Sequence, residues 1–221
     1  MQAIKPMTDG IFKYIFDYKE NIEYTEYLLE CLFNERDDAF KERVKVLYAK
    51  TLDKSNYHNR GYETDVMVFI DETIMINLEA YIGFPEVSKK KSFAYMSNLF
   101  YSQFKEGDSL KTPKIFIQYN FVKDEEVKSD EYRMMSINDE HVWLFDSDIF
   151  VYRVINVGEE NKNISNKLKR LLKFLNSDNM EEARIRAKGD EKLMSLYEKM
   201  SAYINGGGLD KLNEIYQRER H

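Results

Sequence analysis

Two acidic residues, Asp65 and Glu79, stand inside stretches of the chain that otherwise alternate like buried β-strands. The segment from 63 to 81 reads ETDVMVFIDETIMINLEAY. Positions 66, 68, 70, 74, 76, 78 and 80 are all apolar, whereas both acids occupy odd positions. Because successive side chains of a strand point to opposite faces, the even positions are predicted to face a core and the two acids to share the other face.

The same alternation predicts how the two strands, 63–70 and 74–81, pair with each other. Their aliphatic faces must lie on one side of the sheet, so directly opposed residues must have numbers with an even sum. A three-residue loop gives a sum of 144. That register places Asp65 opposite Glu79, with Cβ atoms about 5 Å apart. Tyr81 follows two residues beyond Glu79 on the same face.

Opposed carboxylates repel each other, and such a pair persists where a cation compensates its charge. One interpretation is a divalent metal ion, since hard oxygen ligands at this separation suit Mg²⁺ or Mn²⁺. The other is that a Lys or Arg side chain pairs with one acid while the other acid is solvated. The alternation by itself leaves both interpretations open.

The rest of the chain supplies the elements that must position this hairpin. Apolar residues at helical spacing predict a helix that begins at Thr8 or Asp9, and further helices near 21–33, 85–107, 164–176, 180–187, 191–204 and 209–220. Strands are predicted at 44–52, 114–122 and within 142–157. Strands interleaved with helices indicate an α/β fold with a mixed sheet. The linker at Gly206–Gly208 leaves the last helix either to swing or to form an oligomer contact.

Composition narrows the class of protein. The net charge of −6 argues mildly against a protein coated in nucleic acid but allows a local basic groove. The single cysteine, Cys31, excludes a disulfide within the chain, and its apolar helical surroundings predict a buried packing role. Three widely separated histidines argue against a zinc site. No apolar run approaches membrane-spanning length, so we expect a soluble, cytoplasmic protein.

The order of several motifs resembles the PD-(D/E)XK nucleases, and more narrowly the PD-(D/E)XK family transposases of the recombination-promoting nuclease group. The opening KPMTDGIFKYIF is similar to that group's Asp-x-x-Phe-Lys-x-x-Phe, and INLEAY is similar to its Ile-Glu-x-Gln strand. KSFAYMSNLFYSQFKEGDSL is similar to its helix with a basic residue, here Lys91, four positions before a tyrosine. Asp65 and Glu79 correspond to its metal-binding acids. The resemblance covers about 4–122 and, more loosely, the strand after 142.

This resemblance implies a fold and a reaction. The fold is a restriction endonuclease-like core in residues 1–160, with a central mixed sheet flanked by helices, followed by a helical C-terminal extension in residues 161–221. The reaction is metal-dependent cleavage of DNA phosphodiester bonds. Asp65, Glu79 and the backbone carbonyl of Ala80 would hold Mg²⁺ or Mn²⁺.

The chain departs from the family two residues after Glu79. The family has Lys or Gln there, whereas Tyr81 is neutral at pH 7 and supplies no cation. Lys91 is the candidate replacement. With Lys89 and Lys90 it is expected either to contact the DNA backbone or to form a solvated helix start. A homodimer is a further expectation.

Other features have two interpretations each. Asp9 is interpreted as a helix cap rather than as an outer acid near the metal. The basic helix from 162 is interpreted as a solvated amphipathic face rather than as a nucleic-acid contact. The substitution at Tyr81 also allows a catalytically weakened or inactive relative that binds nucleic acid or a partner subunit. A third alternative is an interaction protein whose acid pair is salt-bridged.

Overall fold

The computed structural model describes much of the 221-residue chain. The described residues are 4–17, 21–33, 46–50, 66–70, 74–83, 90, 92, 94, 97, 115–137, 143–160, 164–208 and 210, and their side chains are described except at 17, 46–50, 131–137 and 143–150. The predicted loop at 71–73 and, apart from position 210, the predicted helix at 209–220 lie outside these residues.

Five bounded helices lie within the described residues. They are α1 (Asp9–Asp17), α2 (Ile22–Phe33), α3 (Asn166–Leu175), α4 (Met180–Ala187) and α5 (Glu191–Asn205). Helices α2, α3, α4 and α5 agree with predicted helices to within two residues, and α1 begins at Asp9, where a helix was predicted to begin. Lys90, Ser92, Ala94 and Ser97 are also helical, inside the predicted helix at 85–107. None of the helices described combines the length and apolar character needed to cross a bilayer.

The three C-terminal helices begin where a capping side chain accepts a hydrogen bond from the first turn. Ser165, Asn179 and Asp190 each accept from the backbone N–H three residues on, at 3.2, 2.9 and 3.1 Å. The first amides of a helix have no partner within the helix, so these caps fix where α3, α4 and α5 start.

Within the described part of the chain, six strands form one mixed sheet in the order β1-β2-β3-β4-β6-β5. They are β1 (Val46–Lys50), β2 (Val66–Ile70), β3 (Ile74–Ile82), β4 (Ile115–Lys123), β5 (Asp130–Ile137) and β6 (Trp143–Asn156). Strand β5 was not among the predicted strands, because DEYRMMSI is charged at its start and lacks a clean alternation. It pairs with β6 at the margin of the sheet, where charged residues are common.

The sheet combines an antiparallel and a parallel part. β1, β2 and β3 are antiparallel neighbours, whereas β3 is parallel to β4 and β4 is parallel to β6. Parallel neighbours need a crossover connection. The chain passes from β3 to β4 through a connection that contains the helical positions around Ser92. The carboxyl ends of β3, β4 and β6 therefore point toward the same edge of the sheet.

The main core lies between one face of the sheet and the helices, as the alternation predicts. Six of the seven even-numbered hairpin residues are at most 1% exposed, namely Val66, Val68, Ile70, Ile74, Ile76 and Leu78. They form one apolar cluster with side chains from all five helices. Burying a large apolar side chain contributes about 1.5–3 kcal/mol. The helices after residue 164 thus share a core with α1 and α2.

Cys31 has the predicted packing role. It lies in α2 and is 0% exposed. Burial raises the pKa of its thiol to about 12, and burial likewise raises the pKa of the neighbouring Tyr27 phenol. Little thiolate forms at neutral pH under these conditions, so the thiol is a packing group rather than a nucleophile.

Candidate functional site

Glu79 lies in the carboxyl-terminal half of β3, on the face of the sheet opposite the main core. Its side chain is only 1% exposed. In the parallel pairing of β3 with β4, Glu79 is opposite Asn120. In open sheets of parallel strands, ligands bind near the carboxyl ends of the strands. Glu79 is therefore in the part of the sheet where a site is expected.

The face that carries Glu79 changes character along the strands. Met75 and Phe116, near the amino ends of β3 and β4, form a second apolar cluster with Met67 of β2. Polar side chains follow toward the carboxyl ends. Asn77, Ser92, Gln118 and Asn120 are each 0% exposed. The sequence predicts a mixed face here, and the structure adds that the polar part is as deeply buried as the core.

The pairing of β2 with β3 follows the predicted register. All five described pairs, from Val66 opposite Leu78 to Ile70 opposite Ile74, have residue numbers that add to 144. The first of these pairs is one residue short of the predicted pair of Asp65 with Glu79. Asp65 itself lies outside the described residues.

Neighbours on the same strand donate to both oxygens of the Glu79 carboxylate. The Asn77 amide Nδ2 donates to Oε1 at 3.1 Å, and the Tyr81 hydroxyl donates to Oε2 at 3.4 Å. Residues two apart in a strand share a face, which brings these three side chains side by side. Tyr81 is half-buried and contributes a neutral donor where the resembled family has Lys or Gln.

Asn77, Ser92, Gln118 and Asn120 make up what we call the amide seam. Gln118 Nε2 donates to Ser92 Oγ at 2.8 Å and to Asn120 Oδ1 at 3.0 Å. Asn120 Nδ2 in turn donates to the backbone carbonyl of Arg153 on β6 at 3.1 Å. The seam thus connects β4 to β6 and, through Ser92, to the crossover helix.

Sequence reasoning missed the seam, although a signal for it is present. In KIFIQYNFV, Gln118 and Asn120 occupy alternate positions, and the residues between and beside them are apolar. The same alternation singled out Glu79 in the hairpin. It does not state which strand lies beside which, so it could not bring Gln118 and Asn120 next to Asn77 and Glu79.

The remaining predicted site residues are only partly described. Ala80 follows Glu79 on β3, and its half-buried side chain packs against the main core. Lys90 is helical and exposed. Lys89 and Lys91 lie outside the described residues.

The donor atoms near Glu79 suit a hard cation. Within the part of the chain that is described, no group of three or more His, Cys, Asp or Glu side chains could hold a metal ion. Carboxylate oxygens are ligands that Mg²⁺ and Mn²⁺ prefer. The described residues therefore fit such an ion in chemistry, with Glu79 supplying one carboxylate.

Asp9 belongs to the other side of the sheet. It is the first residue of α1 and pairs with Lys13 one turn on, with Nζ 3.1 Å from Oδ1. Negative charge in the first turn of a helix is favourable. Helix α1 packs into the main core, opposite Glu79. This position agrees with a role at the start of the helix.

The basic helix α3 also lies opposite Glu79, since its apolar side is buried in the main core. Two of its basic side chains pair with acids of other helices. Lys167 Nζ is 2.8 Å from Glu30 Oε2, and Arg170 Nε is 3.8 Å from Asp190 Oδ2. These contacts agree with an amphipathic helix at the protein surface.

Comparison of the chain with protein-family models, with curated proteins and with solved structures gives no match. A function for this site must therefore be argued from its own residues and their chemistry.

Proposed function

We propose that the protein is a metal-dependent endonuclease of the transposase-associated PD-(D/E)XK type, which cleaves DNA phosphodiester bonds at a site formed by Asp65 and Glu79. The observation that supports this most directly is Glu79, a carboxylate that is 1% exposed in the carboxyl-terminal half of a central strand. The register of the hairpin supports Asp65 as its partner, because one further pair in that register is Asp65 opposite Glu79.

The burial of Glu79 favours a cation as its partner. An ionised carboxylate removed from water is strongly disfavoured unless its charge is compensated. Among the described residues, the donors to its oxygens are Asn77 and Tyr81, and both are neutral. A second acid at position 65 increases the need for positive charge, which a divalent ion meets.

The proposal includes a restriction endonuclease-like core built on the mixed sheet in residues 1–160. Helices α3, α4 and α5 belong to the C-terminal extension in residues 161–221. The arrangement that supports this core is an antiparallel β1-β2-β3 followed by a crossover to the parallel strand β4, with helices packed on the sheet. Homodimers and contacts of Lys89 and Lys90 with the DNA backbone complete the proposal.

Each site residue has a distinct task in this mechanism. The carboxylates of Asp65 and Glu79 and the backbone carbonyl of Ala80 would hold Mg²⁺ or Mn²⁺. A bound ion would supply polarisation of a phosphoryl oxygen and a more acidic water. The Tyr81 hydroxyl orients the attacking water or holds Glu79, but it leaves the developing negative charge uncompensated. Lys91 supplies the positive charge toward the phosphate.

Plasmid nicking in the presence of Mn²⁺ tests the proposal. Asp65→Asn and Glu79→Gln are each expected to lower the nicking rate by at least about 100-fold, because each removes a metal ligand. The matched control is Glu181→Gln, an exposed acid on α4 that pairs with Arg184, and it should nick like the wild type. If the wild type does not nick while Tyr81→Lys does, the active enzyme is ruled out.

One observation favours a second candidate, an inactive nuclease-fold protein that acts by binding nucleic acid or a partner subunit. Donors from Asn77 and Tyr81 contact both Glu79 oxygens, so the carboxylate has hydrogen-bond partners before any metal binds. Titration with Mn²⁺ separates the candidates, since an ion that binds the folded state raises its melting temperature. A melting temperature that does not change, in a protein that retains DNA or a partner, supports the second candidate.

A further inference from the structure

Asn77 occupies a position that the chemistry of the proposed site leaves unassigned. We propose that Asn77 is a positioning residue for Glu79: its amide fixes the carboxylate in the orientation that binds the metal ion. This inference rests on the proposed function and adds a residue to it.

The contact between the two side chains is fully enclosed. Asn77 and Glu79 lie two residues apart on β3 and share a face. Their exposed fractions are 0% and 1%, and Asn77 Nδ2 donates to Glu79 Oε1 at 3.1 Å. A hydrogen bond to a carboxylate is stronger than one between neutral groups, and it holds its partner in one orientation.

The other end of the Asn77 amide shows what orients it. The opposite orientation would set the amide oxygen against a carboxylate oxygen, so the NH₂ group must face Glu79. Oδ1 is then left buried, with no hydrogen bond from any described residue. Burying an unmatched acceptor is unfavourable, and an apolar side chain would avoid it. The bond to Glu79 accounts for an asparagine at this place. Buried polar side chains at positions where an apolar one would be more stable concentrate at functional sites.

Asn77 and Tyr81 contact different oxygens of Glu79. Oε1 accepts from Asn77 at 3.1 Å, whereas Oε2 accepts from the Tyr81 hydroxyl at 3.4 Å. Asn77 therefore holds the carboxylate at Oε1.

Gln118 is a matched control within the same face. It lies opposite Asn77 on the neighbouring strand, is also a buried amide, and also has an amide oxygen with no donor among the described residues. Its Nε2 donates to Ser92 and Asn120 rather than to Glu79. Removing Gln118 therefore breaks two hydrogen bonds of the amide seam and leaves the bond to Glu79 intact.

The test measures Mn²⁺ binding to the full-length protein by electron paramagnetic resonance of the free ion, together with the Mn²⁺ concentration for half-maximal plasmid nicking. Asn77→Leu is expected to weaken Mn²⁺ binding by about 10- to 100-fold, the usual effect of losing a residue that orients a metal ligand. Nicking at saturating Mn²⁺ should stay within about threefold of the wild type, because the reacting groups remain. Gln118→Leu should leave Mn²⁺ binding within about threefold, and Asn77→Gln, which retains the amide donor, should recover part of the loss.

The outcomes separate this inference from the proposed function. If the wild type binds Mn²⁺ and nicks DNA while Asn77→Leu binds Mn²⁺ equally well, Asn77 has no positioning role and the proposed function stands. Equal weakening in Asn77→Leu and Gln118→Leu would also overturn the inference, because it would reflect a general loss of structure. If the wild type neither binds Mn²⁺ nor nicks, both fail. Should circular dichroism show that Asn77→Leu is unfolded, Asn77→Ala replaces it with the same expectations.

Discussion

The two faces of the central sheet are both buried, but different interactions hold them. One face packs aliphatic side chains such as Val68 and Ile76 against all five described helices. The other carries a small apolar cluster and then the amide seam beside Glu79. Apolar burial stabilises without regard to direction, whereas each hydrogen bond of the seam needs a matched donor and acceptor. A face that keeps buried polar groups where apolar ones would pack is the face on which to look for function.

The largest expected effect is that of removing the Phe12 ring from the main core, which lies between the sheet and the helices. Its ring is 0% exposed and lies 4.7 Å from the ring of Phe16 and 5.8 Å from that of Phe121, between centroids. Phe12→Ala should lower the free energy of unfolding by about 3–5 kcal/mol, since it removes apolar contacts and leaves a cavity. Urea unfolding followed by circular dichroism measures this.

The control for Phe12 is Ile185→Ala, at an apolar side chain of α4 that is 55% exposed. It should change the free energy of unfolding by no more than about 0.5 kcal/mol. Equal effects at the two positions would mean that the face covered by the helices is not tightly packed.

A smaller effect is expected from breaking the seam at Asn120. Asn120→Leu leaves the Gln118 amide and the Arg153 carbonyl each without one hydrogen-bond partner. The free energy of unfolding should fall by about 1–3 kcal/mol, the usual result of leaving buried polar groups unmatched. Asn166→Leu, at an exposed position in α3, is the control in the same urea experiment. Unchanged or greater stability for Asn120→Leu would show that the seam packs like an apolar surface.

The smallest effect is expected at an ion pair near the surface, between Lys123 at the end of β4 and Asp178 in the turn between α3 and α4. Lys123 donates to Asp178 at 2.9 Å, and this hydrogen bond lowers the pKa of the Asp178 carboxyl below its usual 3.8. A lowered pKa means that the stabilisation is present above pH 3.8 and is lost as the pH falls through the lowered value. Asp178→Asn should therefore melt slightly below the wild type at pH 7.

Melting curves between pH 7 and pH 2 check the Asp178 prediction. The difference in melting temperature between Asp178→Asn and the wild type should disappear in acid. It should also become smaller in high salt, because Lys123 and Asp178 are near the surface. A difference in melting temperature that stays constant across this pH range would mean that protonation of Asp178 does not remove the stabilisation given by its pairing with Lys123.

Much of the local structure could be predicted from the sequence. The hairpin register followed from the alternation, because a shift by one residue would move every aliphatic side chain out of the core. Helix α4 was predicted to the residue, and Asn179 at its start supplies the physical reason. The predicted packing role of Cys31 was confirmed for a related reason, since its helix reads as apolar around it.

The parts that could not be predicted depend on neighbours that are distant in sequence. Strand β5 has charged residues and little alternation, and it becomes a strand by pairing with β6. Burial of Asn77 and Gln118 was not predicted, because polar residues in a strand usually indicate a face toward solvent. The predicted pair of Asp65 with Glu79 remains a prediction.

The sequence by itself determined which residues share a face, where the helices begin and how the hairpin pairs, because these follow from the periods of strand and helix and from local capping. Only the tertiary structure decided that β3 lies beside β4, which brings Gln118 and Asn120 next to Asn77 and Glu79. The physical reason is that parallel neighbours are joined by a crossover, and no pattern within either strand specifies the strand beside it.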